Sequence, residues 1–100
     1  MDPGADFSQY NSYVELTINQ TLIRTLAEKG DTAAIVVILG KDHERGFEQI
    51  KPSDLRYITL YEDHCNDTLT QANDQYQKIK TFMDEQSCLG KSLELIILRE

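Results

Sequence analysis

The sequence lacks several features on which functional assignments usually depend. No apolar run approaches the roughly 20 residues needed to cross a bilayer, which argues against a membrane protein. The first residues, Met1 to Asp6, are acidic and contain no apolar core, so no secretory signal peptide is expected. Since the chain has only two cysteines and no such signal, we expect it in the reducing cytoplasm.

Basic residues are also scarce. Ten Lys and Arg stand against seventeen Asp and Glu, which gives a net charge of −7. Tight binding to nucleic-acid phosphates needs clustered cations, so direct binding to nucleic acid is not expected. Association with an anionic membrane surface is disfavoured for the same reason.

The few chemically reactive side chains form no catalytic or metal-binding pattern. His64 and Cys65 are adjacent, and adjacent helical residues point in different directions, so they cannot work as a catalytic pair. Cys65 and Cys88 are more typical of buried thiols. The segment Asp42-His43-Glu44 lacks the regular spacing of a zinc site and is interpreted as a solvated turn. No catalytic residue, metal ion or cofactor is therefore expected.

The first half of the chain predicts a helix followed by a buried strand. Apolar residues at helical spacing predict a helix from Asp6 to Lys29, which ends at Gly30. The unbroken apolar run from Ala33 to Leu39 shows no alternation, which is typical of a central strand covered on both faces. A polar turn, residues 41–46, follows that strand.

Two further strands are predicted beside the first. Phe47 to Ile50 alternates weakly, which favours a short edge strand that returns as a hairpin. Ser92 to Leu98 predicts a last strand, and its apolar residues on both faces indicate that most of it is buried. The expected class is α+β, one domain over residues 1–100, in the order α-β-(β)-α-β. Two helices would pack on a small sheet with open edges, and strands separated by a helix can lie parallel through a right-handed crossover.

A long amphipathic helix is predicted from Ser53 to Gln86. Ser53 can cap it, and Asp54 is favourable in its first turn. Its apolar residues form one narrow seam, which consists of Leu55, Ile58, Cys65, Leu69, Ala72, Tyr76, Ile79 and Met83. The β-forming residues from Leu55 to Tyr61 leave a second interpretation, a third strand followed by a helix from about Asn66 or Asp67. The capping serine and the continuity of the seam favour the single helix.

The seam indicates a contact surface, because so long a helix exceeds what the rest of the chain can cover. Tyr57 and Tyr61 flank it, and tyrosine is favoured at interfaces. The predicted interface comprises Tyr57, Ile58, Tyr61, Cys65, Leu69, Ala72, Tyr76, Ile79 and Met83. From this surface we predict a non-catalytic protein–protein interaction module (an adaptor, regulator or assembly subunit) that forms a homo-oligomer and binds another protein.

A second hypothesis starts from the acidic residues. Asp63, Asp67 and Asp74 would line one side of the predicted long helix and present a face to a basic partner. Such a face suits an acidic inhibitor or immunity-type protein that binds a nuclease or a DNA-binding protein. A solvated helix face that keeps the protein soluble explains the same three residues.

The span from Leu22 to Leu98 resembles the roadblock/LC7 family in its pattern of elements. A helix leads into Thr32 to Leu39, a polar turn leads to a short return strand, and a long amphipathic helix precedes the last strand. The resemblance implies a small non-catalytic dimer that regulates motors or small GTPases. It lies in the element pattern alone, so it transfers no functional residue.

Overall fold

A computed structural model describes residues 3–63, 68–87 and 93–100. The helices and strands alternate along the chain, in the order α1 (Pro3–Lys29), β1 (Ala33–Gly40), α2 (Glu44–Ile50), β2 (Tyr57–Glu62), α3 (Thr68–Ser87) and β3 (Glu94–Arg99). Short 3-10 turns at Gly30–Thr32 and Lys41–His43 join β1 to the helices on either side. The predicted mixture of helices and strands, with a long helix, is confirmed.

The three strands form one parallel sheet in the order β2-β1-β3. In the middle of the sheet, Val36 of β1 aligns with Ile58 of β2 and with Ile97 of β3. A parallel pair needs a connection that crosses a face of the sheet, and α2 and α3 make these crossovers. The central position predicted for the strand at Ala33 to Leu39 is therefore confirmed.

The central strand is buried because helices cover both faces of the sheet. On one face, α1 and α2 supply Leu22, Leu26 and Phe47, which pack on Ile35, Val37 and Leu39. On the other face, α3 supplies Phe82, which packs on Ala34, Val36 and Ile38. The result is a three-layer α/β/α arrangement with two hydrophobic layers. Within the described ranges, no helix combines the length and the apolar character needed to cross a bilayer.

The prediction of one helix from Ser53 to Gln86 is wrong in its first third. Residues Tyr57–Glu62 form strand β2, and α3 begins only at Thr68. The β-branched and aromatic residues of this segment suit a strand, and the edge of β1 supplies its backbone hydrogen bonds. Alternation then divides the side chains, so that Tyr57 packs in the α1 layer while Leu60 packs in the α3 layer.

The predicted return strand at Phe47 to Ile50 is also wrong, because these residues belong to helix α2. A hairpin return would run antiparallel to β1, whereas the parallel β1–β2 pair needs a crossover between them. The helix places Phe47 in the core between α1 and the sheet, where its ring is fully buried. Phe47 is the buried residue of this seven-residue helix, so its ring holds the β1–β2 connection against the sheet.

The start of β2 holds the end of α1 through one arginine. The Arg56 guanidinium donates hydrogen bonds from Nη1 to the carbonyl oxygens of Leu26 at 3.1 Å and Gly30 at 2.9 Å. Asp54 fixes that guanidinium by accepting hydrogen bonds from its Nε at 2.9 Å and its Nη2 at 2.7 Å. Carbonyls at a helix C-terminus lack intrahelical donors, so Arg56 satisfies groups that would otherwise need water. These hydrogen bonds from Arg56 hold the pKa of Asp54 below its ordinary value.

We expect Asp54→Asn to lower the free energy of unfolding by about 1–2 kcal/mol at neutral pH, because the neutral amide holds the guanidinium less tightly. The pKa of Asp54 is lowered by folding, so its contribution is present above the unfolded pKa and is lost as pH falls through the folded value. The difference between wild type and variant should therefore be complete at pH 7 and shrink below about pH 4.

Urea unfolding at pH 7 and at pH 3 measures this difference. The matched control is Asp84→Asn, on the exposed side of α3, which should leave the free energy of unfolding nearly unchanged at both values. An Asp54→Asn deficit that stayed constant from pH 7 to pH 3 would contradict the assignment to the ionised carboxylate.

Candidate functional site

Helix α3 leaves one strand of the sheet uncovered on its side. Ile96 and Leu98 of β3 point to the other face and pack against the α1 layer. Leu95 and Ile97 alternate with them and point to the α3 side, where they remain 41% and 50% exposed. The prediction that the last strand is mostly buried is therefore wrong, because four of its six residues are exposed and Ile96 and Leu98 are half-buried.

The flank of α3 that faces the uncovered strand is apolar. Leu69, Ala72, Tyr76, Ile79 and Met83 follow steps of three and four residues, which place them along one side of the helix. Leu69 and Tyr76 are 71% and 62% exposed, whereas Ile79 and Met83 are half-buried against the core.

The direction of this flank follows from the opposite side of the helix. Lys78 and Thr81, on that opposite side, line a groove with Ile58 and Leu60 at the outer edge of β2. The apolar flank therefore points away from β2 and towards the side of β3. We name the combined patch the α3–β3 surface, which comprises Leu69, Ala72, Tyr76, Ile79, Met83, Leu95 and Ile97.

The structure brings together five of the nine predicted interface residues and separates the others from them. Leu69, Ala72, Tyr76, Ile79 and Met83 all lie on the α3–β3 surface. Ile58 lies on β2, partly buried under α3, and Cys65 lies outside the described residues. Sequence reasoning missed Leu95 and Ile97, although their alternation with Ile96 and Leu98 was visible.

Tyr57 is buried and Tyr61 is half-buried, and both pack against the core instead of flanking an exposed seam. Both point to the α1 layer, where the Tyr57 hydroxyl donates to the carbonyl of Pro52. The Tyr61 hydroxyl donates to the Glu48 carboxylate at 2.6 Å. Burial, followed by that hydrogen bond, raises the pKa of Tyr61. Each ring thus ties β2 to the neighbouring chain segment.

The acidic residues do not share one helix face. Asp63 follows β2 and precedes α3, and its backbone N–H donates to the Gln71 side chain at 2.7 Å. Asp74 is exposed on α3, and Asp67 lies outside the described residues. The prediction that all three line the long helix is wrong for Asp63.

A polar cluster lies at the carboxyl ends of the strands. His43, in the turn after β1, is only 6% exposed. Its Nε2 lies 3.0 Å from a carboxylate oxygen of Glu100, which follows β3, and its Nδ1 lies 3.5 Å from one of Glu15 in α1. The sequence predicted a solvated turn here, which is wrong for His43 but correct for its exposed neighbours Asp42 and Glu44.

Two glycines make room for the two carboxylates beside His43. The Gly40 N–H donates to Oε1 of Glu100, and a Cβ at Gly40 would lie 2.9 Å from that oxygen. A Cβ at Gly46 would overlap both carboxylate oxygens of Glu15. Neither glycine has a positive φ, so the backbone conformation does not require glycine. Glycine is needed at both positions because a carboxylate oxygen lies where a Cβ would be.

A narrow crevice opens beside this cluster, over the end of β1. Arg99 Nη1 and Glu62 Oε1 form an ion pair at 2.8 Å that bridges β3 and β2 across the end of the central strand. The crevice is lined by Gly40, Glu62, Arg99 and Glu100, together with the last residues of β1. In open α/β sheets, ligands bind outside the carboxyl ends of the strands, where the chain reverses its direction across the sheet. That point lies between β1 and β3 in this sheet.

The ion-pair partners of His43 within the described ranges are the carboxylates of Glu15 and Glu100. Within residues 3–63, 68–87 and 93–100, no group of three His, Cys, Asp or Glu side chains is arranged to hold a metal ion. The geometry therefore suits electrostatic recognition at the crevice and apolar contact at the α3–β3 surface.

No protein-family model, curated protein or solved structure matches this chain. The resemblance to the roadblock/LC7 family thus stays a prediction, and helix α2 occupies the place of the return strand on which it partly depends.

We expect Gly46→Ala to destabilise the protein by about 1–3 kcal/mol, because the new methyl group must displace the buried Glu15 carboxylate. A loss of stability would be informative, since Gly→Ala inside a helix ordinarily raises the free energy of unfolding by roughly 0.5–1 kcal/mol. Urea unfolding of both proteins measures the change.

The same substitution in a Glu15→Ala background is the matched control. Without the carboxylate, Gly46→Ala should regain its ordinary stabilising sign. Stabilisation by Gly46→Ala in the wild-type background would show that Glu15 is not wedged between Gly46 and His43.

Proposed function

We propose that this chain is a non-catalytic protein–protein interaction module that forms a homodimer through the α3–β3 surface. The observation that carries the proposal is that exposed apolar side chains of α3 and β3 lie on the same side of the sheet, next to an open strand edge. Monomeric proteins keep such patches small, and larger ones mark contact surfaces.

The size of the patch supports this proposal. Taking about 200 Å² for a fully exposed side chain, the exposed parts of Leu69, Tyr76, Leu95 and Ile97 amount to roughly 450 Å². This is within the range of the largest apolar patch on a typical monomer, about 300–600 Å², which is often functional. A standard interface buries about 800 Å² on each partner, so this patch would supply a little over half of that area and the β3 edge with a polar rim would supply the rest.

The edge of β3 explains why a second copy fits. Among the described strands, β3 pairs only with β1, so its outer edge presents free N–H and C=O groups. Antiparallel pairing about a two-fold axis at Ile96 would place Leu95 opposite Ile97 of the second copy, and Ile97 opposite its Leu95. Opposed residues of an antiparallel pair share one face, so both apolar pairs would form on the α3 side.

The same two-fold axis would bring the apolar flanks of the two α3 helices towards each other over the joined sheet. Tyr76 lies midway along this flank and carries a polar hydroxyl that can stay hydrated at the rim. The acidic-inhibitor hypothesis has less support. Asp63 and Asp74 line one groove between α3 and β2, but Lys41 and Lys78 line the same groove and offset their charge. The joined sheet of such a dimer would have six strands.

We expect light scattering to give twice the 11.5 kDa chain mass over a dilution series, with little change between low and high salt. Apolar burial dominates this interface, and it is not screened by salt. Ile97→Lys should yield a folded monomer, because lysine on an edge strand opposes pairing without opposing the fold. Leu69→Asp should also shift the equilibrium from dimer to monomer.

The matched control is Leu55→Lys, which changes a side chain that is 90% exposed but lies outside the α3–β3 surface. This variant should keep the dimer mass. A wild-type monomer at every concentration, or a dimer that survives Ile97→Lys with unchanged affinity, would overturn the proposal.

A further inference from the structure

We propose that the crevice between the carboxyl ends of β1 and β3 is a binding site for a carboxylate ligand, and that Glu100 occupies it as an internal stand-in. This site is separate from the α3–β3 surface, and it uses different residues.

The first argument is the pair of donors. The Gly40 N–H donates to one oxygen of the Glu100 carboxylate at 2.5 Å, and His43 Nε2 lies 3.0 Å from the other oxygen. Two nitrogen atoms from different residues thus contact both oxygens of one planar group. This bidentate arrangement matches the geometry of a carboxylate, whichever molecule carries it.

The second argument is that the donors are fixed before any ligand arrives. The His43 side chain is more than nine-tenths buried, and its Nδ1 lies 3.5 Å from the Glu15 carboxylate without a hydrogen bond between them. Gly40 ends the fully buried central strand, so its N–H direction is set by the sheet. Fixed donors bind with less loss of conformational entropy than mobile ones.

The third argument is access. The Glu100 side chain is 29% exposed, whereas the His43 side chain beneath it is 7% exposed, so the internal carboxylate covers its partner like a plug. The missing Cβ at Gly40 leaves space for a carboxylate oxygen against the backbone. Removal of the plug would widen the crevice at Gly40, which lines it, and would uncover the side of His43 that Glu100 contacts.

The fourth argument is charge. Arg99 lines the same crevice with its side chain about half exposed, and Glu62 is its ion-pair partner. Facing His43 are two carboxylates, Glu15 and Glu100, so an external carboxylate in place of Glu100 leaves the local charge unchanged. Replacement by a neutral group would leave the buried donors less well satisfied.

The test removes the plug and supplies the ligand in solution. In Glu100→Ala, sodium acetate should raise the melting temperature and shift the His43 ring resonances in NMR spectra, with saturation at millimolar concentrations. Wild-type protein should bind acetate at least tenfold more weakly, because its own carboxylate competes. Acetamide, the neutral isostere of acetate, should have no comparable effect. Equal responses to acetate and acetamide in Glu100→Ala would overturn the proposal.

A second variant tests the location. Gly40→Ala in the Glu100→Ala background places a methyl group where the carboxylate oxygen lies, and it should abolish the acetate response. Glu100→Gln provides a variant with an intact side-chain shape, in which acetate should still be preferred over acetamide. Persistence of the full acetate response in the Gly40→Ala background would show that acetate binds elsewhere.

Two further probes identify the kind of ligand. Inorganic phosphate is tetrahedral, so tighter binding of phosphate than of acetate would overturn the assignment to a planar carboxylate. A tripeptide with a free C-terminus, compared with its amidated form, distinguishes a peptide carboxylate from a small-molecule one. Preference for the free peptide over both acetate and the amidated form would assign the site to peptide C-termini, and binding equal to acetate would assign it to small carboxylates.

Discussion

The strand from Ala33 to Gly40 has no face that can be left in water. Seven of its eight residues are buried, and all seven are apolar, so the chain must build one layer above this strand and another below it. Burial on both faces also favours parallel neighbours, because crossover helices then do the covering. The helices on both sides and the two flanking strands all satisfy this single requirement.

The two faces are covered unequally, and the open surface results from that inequality. Neighbouring strands lie about 4.8 Å apart and a helix is about 10 Å wide, so one helix covers roughly two strands. Two helices, α1 and α2, cover the first face, and its β3 residues Ile96 and Leu98 pack against that core layer. Among the described elements, α3 alone covers the second face, and it lies over β1 and β2. The exposure of Leu95 and Ile97 is therefore a consequence of the number of helices.

Sequence patterns predicted the parts of the fold that depend only on residues close together in the chain. The helix to Lys29, the strand from Ala33 and most of α3 follow from unambiguous spacing. The preference for a helix from Leu55 to Tyr61 is wrong, and the alternative of a strand followed by a helix is the one that forms. Leu55 and Ile58 fit a helical period as well, and only the edge of β1 decides between the two structures.

Other features depend on partners far along the chain. His43 looks like part of a polar turn, and its burial becomes visible only when Glu15 and Glu100 converge on it. Nor does any local pattern distinguish the two faces of β3, since both carry Leu and Ile. Candidate sites of both kinds, apolar and polar, thus arise from the arrangement of elements rather than from a motif.

The order in which β1 acquires its neighbours has a consequence for synthesis on the ribosome. Both strands that pair with β1 follow it in the chain, and one of them, β3, starts only at Glu94. While the chain is being made, β1 therefore emerges as an apolar segment whose backbone groups still lack these partners. Incomplete chains would expose this segment, and we expect them to aggregate or to bind chaperones, whereas the finished chain buries it.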